Sequence, residues 1–137
     1  MTELTAPPNV DAVLDGLKDF QRRTVEYVFR RLYRDDDPVK RFLIADEVGL
    51  GKTMIARGVV AKAVEYLWDK RERIDIVYVC SNGDIARQNA NRLTLPGIKA
   101  RVIPSRITLL PKTVKTLDRK LNFISITPGS MRSSRPP

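Results

Sequence analysis

Gly49, Leu50, Gly51, Lys52 and Thr53 form a run of residue types suited to one piece of chemistry, the gripping of phosphate. Two glycines let a turn bring its backbone N–H groups close to an anion, and a helix opening just after them adds partial positive charge from its first peptide units. A lysine at the helix start reaches the β- and γ-phosphates of a nucleotide, and the next hydroxyl completes the coordination of Mg²⁺. These five residues are therefore the candidate cofactor-binding set for ATP with Mg²⁺, and Thr53 is the group placed next to the metal. The competing reading is an ordinary strand-turn-helix that happens to carry glycines, a lysine and a threonine.

Phosphate gripping requires a strand before the loop and a helix after it. Arg41 to Ala45 is short, apolar and bounded by turn signals, which predicts a buried strand. From Lys52 to Asp69, Ile55, Ala56, Val59, Val60, Ala63, Val64 and Leu67 predict a helix with a broad apolar face. Upstream, Leu17, Phe20, Thr24, Val28 and Leu32 mark one face of a helix to about Arg34, ended by Asp35-Asp36-Asp37-Pro38. Residues 1–16 show little periodicity and read as an N-terminal arm. Downstream, the β-branched run Ile74 to Cys80 predicts a second buried strand, and Asp84 is the expected N-cap of a helix from Ile85 to about Leu93. Lys99 to Ile103 reads as a short edge strand, Lys112 to Leu121 as a basic helix, and Phe123 to Thr127 as a third buried strand. Residues 130–137 carry no core pattern and are expected to be disordered. Alternating strands and helices predict an α/β fold with a mainly parallel sheet flanked by helices.

Composition narrows the chemistry. The 137 residues suit about one domain, with 42% hydrophobic and 30% charged residues. No apolar run approaches the roughly 20 residues of a membrane span, so a membrane partner is not expected. With a single cysteine, Cys80, and no histidine, the chain has neither an internal disulfide nor a histidine-based triad, which suggests a reduced, cytoplasmic setting. The net charge of +9 is uneven. Residues 1–98 hold 16 basic and 15 acidic residues, whereas residues 99–137 hold 9 basic residues and one acid, Asp118. That basic quarter is either a solvated face or a surface for a polyanion.

The general phosphate-loop pattern opens with a glycine, where this chain has Asp46. The run Ala45-Asp46-Glu47-Val48-Gly49-Leu50-Gly51-Lys52-Thr53 resembles motif I of superfamily 2 helicases, in particular the Snf-type, chromatin-remodeller-like branch. Leu17 to Phe29 resembles the segment ahead of motif I, in which a glutamine reads adenine; Gln21 takes that position, or else is a rim glutamine with no ligand. Val77 to Leu93 is similar to motif Ia and Phe123 to Ser130 to motif Ib. The resemblance places Ser81, Asn82, Arg87, Gln88, Thr127 and Gly129 near a nucleic-acid backbone, although plain turn capping accounts for such polar residues nearly as well. It covers roughly Leu17 to Gly129. It implies a partial RecA-like P-loop NTPase domain that binds ATP and makes backbone-directed, salt-sensitive contacts with DNA in preference to RNA.

Motif I of that family works with an acidic Walker B strand and with arginines from a second motor domain. The acids after Lys52 are Glu65, Asp69, Glu72, Asp75, Asp84 and Asp118, and none closes an apolar strand beside a second acid. The resemblance thus implies the first part of a motor domain, cut after motif Ib, inactive alone and partnered by the remainder of the motor. A fragment boundary and a shifted reading frame are both open explanations. The runner-up reading is a non-enzymatic basic module that binds nucleic acid and carries a vestigial phosphate loop.

Overall fold

Residues 52–67 contain no proline, and their branched apolar side chains need burial to hold a helix. In the computed structural model, which describes residues 6–45, 49–96, 102–106, 110–115 and 117–127, they form helix α3 (Lys52–Leu67). Ahead of it lie a short helix, α1 (Val10–Leu14), and α2 (Asp19–Phe29), which continues into a π-helical turn over Arg30–Arg34. After it come β1 (Ile74–Val79), α4 (Gly83–Leu93), β2 (Val102–Arg106), α5 (Leu110–Lys115) and β3 (Leu121–Thr127).

The three strands form one sheet in the order β1-β3-β2, and both pairings are parallel. Ile74 lies opposite Leu121 and Val79 opposite Ile126, while Val102 lies opposite Phe123 and Arg106 opposite Thr127. β3 is central, and its residues 121–126 are all buried. Phe123 packs with Ala90 and Leu93 of α4, whereas Ile124 and Ile126 pack with Leu117, Leu110 and Val114. Helices therefore cover β3 from both sides, as parallel strands require. The chain is an α/β structure.

The main core lies where α1, α2 and α3 meet the sheet, and holds Val13, Leu17, Val25, Ile55, Ala61, Val64, Trp68, Ile74 and Leu121. Gly58 permits the approach of α2 to α3. A Cβ there would lie 2.7 Å from Val25 Cγ2 and 3.3 Å from Leu17 Cδ1. Gly58→Ala is expected to destabilise the chain by roughly 1–2 kcal/mol, because overpacking outweighs alanine's better helix propensity. The further change Val25→Ala should restore part of that loss in urea melts. A more stable Gly58→Ala chain would mean that the two helices are not pressed together here.

Several expectations are corrected. Residues 41–45 form no strand: Leu43 is 82% exposed and only Ile44 packs against the core. A strand exists only through a neighbour's hydrogen bonds, and the sheet's ladders run between β1, β3 and β2 alone. β1 is an edge strand rather than a buried one. Ile74, Ile76 and Tyr78 turn inward, while Val77 (48%) and Val79 (60%) face outward and exposed. The lead-in expected over residues 1–16 contains α1, which Asn9 caps by accepting from the Ala12 N–H (3.1 Å) and which buries Val10, Val13 and Leu14. The buried face of α2 runs through Gln21, Val25, Val28 and Phe29, leaving Phe20 exposed. In α3 the deepest line is Ile55, Gly58, Ala61 and Val64, with Val59, Val60 and Leu67 half-buried beside it. The expected basic helix is α5, which starts at Leu110 and ends at Lys115, six residues before the expected end at Leu121. The expected edge strand lies at 102–106. Residues 130–137 lie outside the described residues.

Candidate nucleotide-binding site

Gly49 and Gly51 have φ of +90° and +80°, the left-handed region that glycine enters without strain. Gly51 is the residue on which α3 starts: its carbonyl accepts from the N–H groups of Met54 (2.9 Å) and Ile55 (3.1 Å). Lys52 and Thr53 follow as the first two helical residues, Lys52 exposed and Thr53 half-buried, and no acid stands in that first turn. The free N–H groups of a helix start and its local positive potential favour an anion here. Leu50 is exposed between the two glycines. Asp46, Glu47 and Val48 lie outside the described residues.

Gln21 is 8% exposed and its carboxamide is satisfied at both ends. Oε1 accepts from the Lys18 N–H (3.0 Å) at the start of α2, and Nε2 donates to the Leu50 carbonyl (3.0 Å). The side chain thus straps the start of α2 to the loop. It also explains the need for glycine at 51, since a Cβ there would lie 2.4 Å from Gln21 Nε2. In this arrangement the carboxamide faces backbone, not an adenine.

The opposite end of α3 locates the loop relative to the sheet. Trp68, just past α3, has the Lys120 ammonium 5.1 Å from its ring centre, and Lys120 immediately precedes β3. The Lys120 carbonyl also accepts from the Ile74 N–H at the start of β1 (2.7 Å). The C-terminus of α3 therefore lies at the N-terminal ends of the strands, and nearer its start Arg57 donates to the Thr94 carbonyl just past α4 (3.0 Å). Open α/β sheets bind ligands in the crevice at the carboxyl ends of their strands.

Ser81 and Asn82 follow β1 at this same end, and Thr127 closes β3 beside them, with the Cys80 N–H donating to the Ile126 carbonyl (3.0 Å). Asn82, not Asp84, caps α4: its Oδ1 accepts from the N–H groups of Asp84 (2.9 Å) and Ile85 (3.2 Å). An asparagine one residue before the helix reaches both donors, whereas Asp84 already lies inside it and pairs with Arg87. Ser81, Arg87 and Gln88 are exposed, and Gly129 lies outside the described residues. Among the described basic residues after 98, Arg106 lies opposite Thr127 at this end. Arg119 and Lys120 precede β3 at the opposite end, where Lys120 also donates to the Arg71 carbonyl (3.3 Å).

One constellation was not anticipated. Tyr27, Phe29, Tyr33 and Tyr66 cluster where α2 and its π-turn cross α3, with Arg30, Arg34, Lys62 and Lys70 over their rings. Its signal was present in the alternation of aromatic and basic residues over Tyr27–Arg34. Burial pushes the Tyr33 phenol up from its ordinary range, and Lys70 beside Tyr66 lowers that phenol.

Among the described residues no group of acids, cysteines or histidines could hold a metal ion, and no helix is long and apolar enough to cross a membrane. Comparison with protein-family models, with curated proteins and with solved structures finds no match. Function is therefore argued from residues and geometry.

Proposed function

We propose that the chain is an ATP-binding piece of a DNA-dependent ATPase, helicase or translocase of the Snf-type superfamily 2 group, with a partial RecA-like P-loop domain. The observation that carries this reading is the pair of left-handed glycines, Gly49 and Gly51, opening directly onto a helix that begins Lys52-Thr53. The phosphate end of Mg-ATP fits these residues. Backbone N–H groups at 49–53 would donate to the phosphates, the Lys52 ammonium would balance their charge, and the Thr53 hydroxyl would help hold Mg²⁺, which would supply further charge neutralisation. The adenine end fits only after Gln21 releases one of its two backbone partners. Ser81, Asn82 and Thr127 at the carboxyl ends of β1 and β3, with Arg87 and Gln88 on α4, offer DNA a backbone-directed surface. Binding, not turnover, is what these residues support.

Mg-ATP at 100 times its Kd should stabilise the folded chain by about 2.7 kcal/mol. A thermal-shift series is expected to show a dose-dependent rise in Tm that Lys52→Ala lowers. No rise at millimolar ATP, or an equal rise in Lys52→Ala, would refute nucleotide binding.

The engagement of Gln21 by backbone, together with the lack of a strand at 41–45, favours a second reading, a nucleic-acid-binding module with a vestigial loop. On that reading DNA binding is salt-dependent and indifferent to ATP. It survives Lys52→Ala and falls when the exposed Lys112 and Lys115 are neutralised.

A further inference from the structure

We propose that the groove between α2, its π-turn and α3 is a second ligand site, one that takes a nucleoside phosphate by stacking the base on Tyr27 and pairing the phosphate with Arg30 and Arg34. The groove has a volume of about 580 Å³ and is lined by Glu26, Tyr27, Phe29, Arg30, Arg34 and Lys62. That size lies within the range of small-molecule sites, roughly 300–1,000 Å³.

The lining has three cations and one acid, and the acid is already neutralised. Glu26 accepts from Lys62 through both carboxylate oxygens (2.6 and 2.8 Å). Asp35 is held tightly by Arg31 (2.6 Å) and more loosely by Arg30 (3.6 Å), so an incoming phosphate competes for Arg30 only with a long contact. Among the described residues no carboxylate pairs with Arg34; its guanidinium lies 5.1 Å from the Tyr66 ring centre and 6.0 Å from that of Phe29. A guanidinium beside an aromatic ring still offers N–H donors to a phosphate, which it can pair in a bidentate way.

Tyr27 supplies the apolar surface. Phe42 meets it edge-on (5.8 Å, 78°), yet it stays 50% exposed. Arg30 lies 5.4 Å from its ring centre, and a half-exposed ring beside a guanidinium is the arrangement that stacks bases without reading their sequence. The π-helical register over Arg30–Arg34 sets these arginines along the groove, and such turns recur at binding sites.

The site is independent of the phosphate loop. Lys62 stands ten residues along α3 from Lys52, about 15 Å at 1.5 Å per residue. A free nucleotide and one unit of a single strand share the required chemistry. The test therefore uses fluorescein-labelled dT12 at low salt, followed by anisotropy, with unlabelled AMP and inorganic phosphate as competitors. Tyr27→Leu and Arg34→Gln, which keep side-chain bulk, should each weaken dT12 or AMP binding roughly 10-fold, and Tyr27→Trp should restore it. Competition by AMP identifies a free-nucleotide site, whereas dT12 binding that AMP does not displace identifies a strand site. The Mg-ATP thermal shift should persist in Tyr27→Leu and Arg34→Gln, and the groove's ligand should still bind in Lys52→Ala. The proposal is overturned by wild-type chain that binds neither probe, by unchanged affinity in both variants that melt as the wild type does, by phosphate competing as well as AMP, or by AMP binding that disappears only in Lys52→Ala.

Discussion

Gly51→Ala is expected to cost about 2–5 kcal/mol of stability and to lower the Mg-ATP-induced rise in Tm. Two separate effects contribute. A Cβ in the left-handed region is strained by about 1–2 kcal/mol, and Gly51 sits there at φ +80°. The same Cβ would lie 2.4 Å from Gln21 Nε2, and the carboxamide must swing away and leave the Leu50 carbonyl. A buried group left without its partner costs about 1–3 kcal/mol. Gly49→Ala separates the two effects, because Gly49 has φ +90° but nothing within 4 Å of the added Cβ. It should show only the backbone strain. The double variant Gly51→Ala/Gln21→Ala should be less destabilised than the sum of its parts, since the clash has one owner. Equal losses for Gly49→Ala and Gly51→Ala in urea melts would remove the Gln21 strap from the account.

Ile55→Ala is expected to lower stability by about 2–5 kcal/mol, a large share of the 5–15 kcal/mol that holds a typical domain folded. Ile55 is fully buried in the first turn of α3, inside the cluster that joins α1, α2 and the sheet. Its backbone N–H also bonds Gly51, so its packing seats the loop on the core. Ile55→Val should cost only about 0.5–1.5 kcal/mol. Because the side chain faces away from the anion side, ATP affinity measured well below the melting temperature should change little in Ile55→Val. A loss under about 1 kcal/mol in Ile55→Ala would mean that the helix start is not anchored by the core.

The pair separates the two functions of the loop region. Gly51 shapes the loop backbone on the proposed nucleotide side, and Ile55 fixes that backbone to the protein. Both variants should lose stability, but native Gly51→Ala should bind Mg-ATP poorly while native Ile55→Ala should still bind it.

Helices and strands were legible to different degrees, for a physical reason. α3 was readable because a helix closes its own hydrogen bonds within sixteen residues, and its apolar spacing shows which stretch needs burial. β1 and β3 were readable from dense β-branched runs, Ile74–Val79 and Leu121–Thr127. The same logic misled at residues 41–45, where an apolar run has no ladder. Helix faces were misplaced for a related reason. From Leu17, steps to Phe20 and Thr24 or to Gln21 and Val25 both follow a helical period, and only the position of α3 selects the second.

Residue order by itself determined the glycine turn at 49–51, the helix that follows, the alternation of strands with helices and the uneven charge. Those are local properties, set by side-chain type and spacing. Tertiary structure alone decided that Gln21 is tied to Leu50, that Gly58 is pressed by Val25, and that Arg119 and Lys120 lie at the far end of the strands from Thr127. It also gathered Tyr27, Arg30 and Arg34 against Lys62. Each of these joins residues from separate elements, and such contacts depend on how helices and strands pack, which no local spacing encodes.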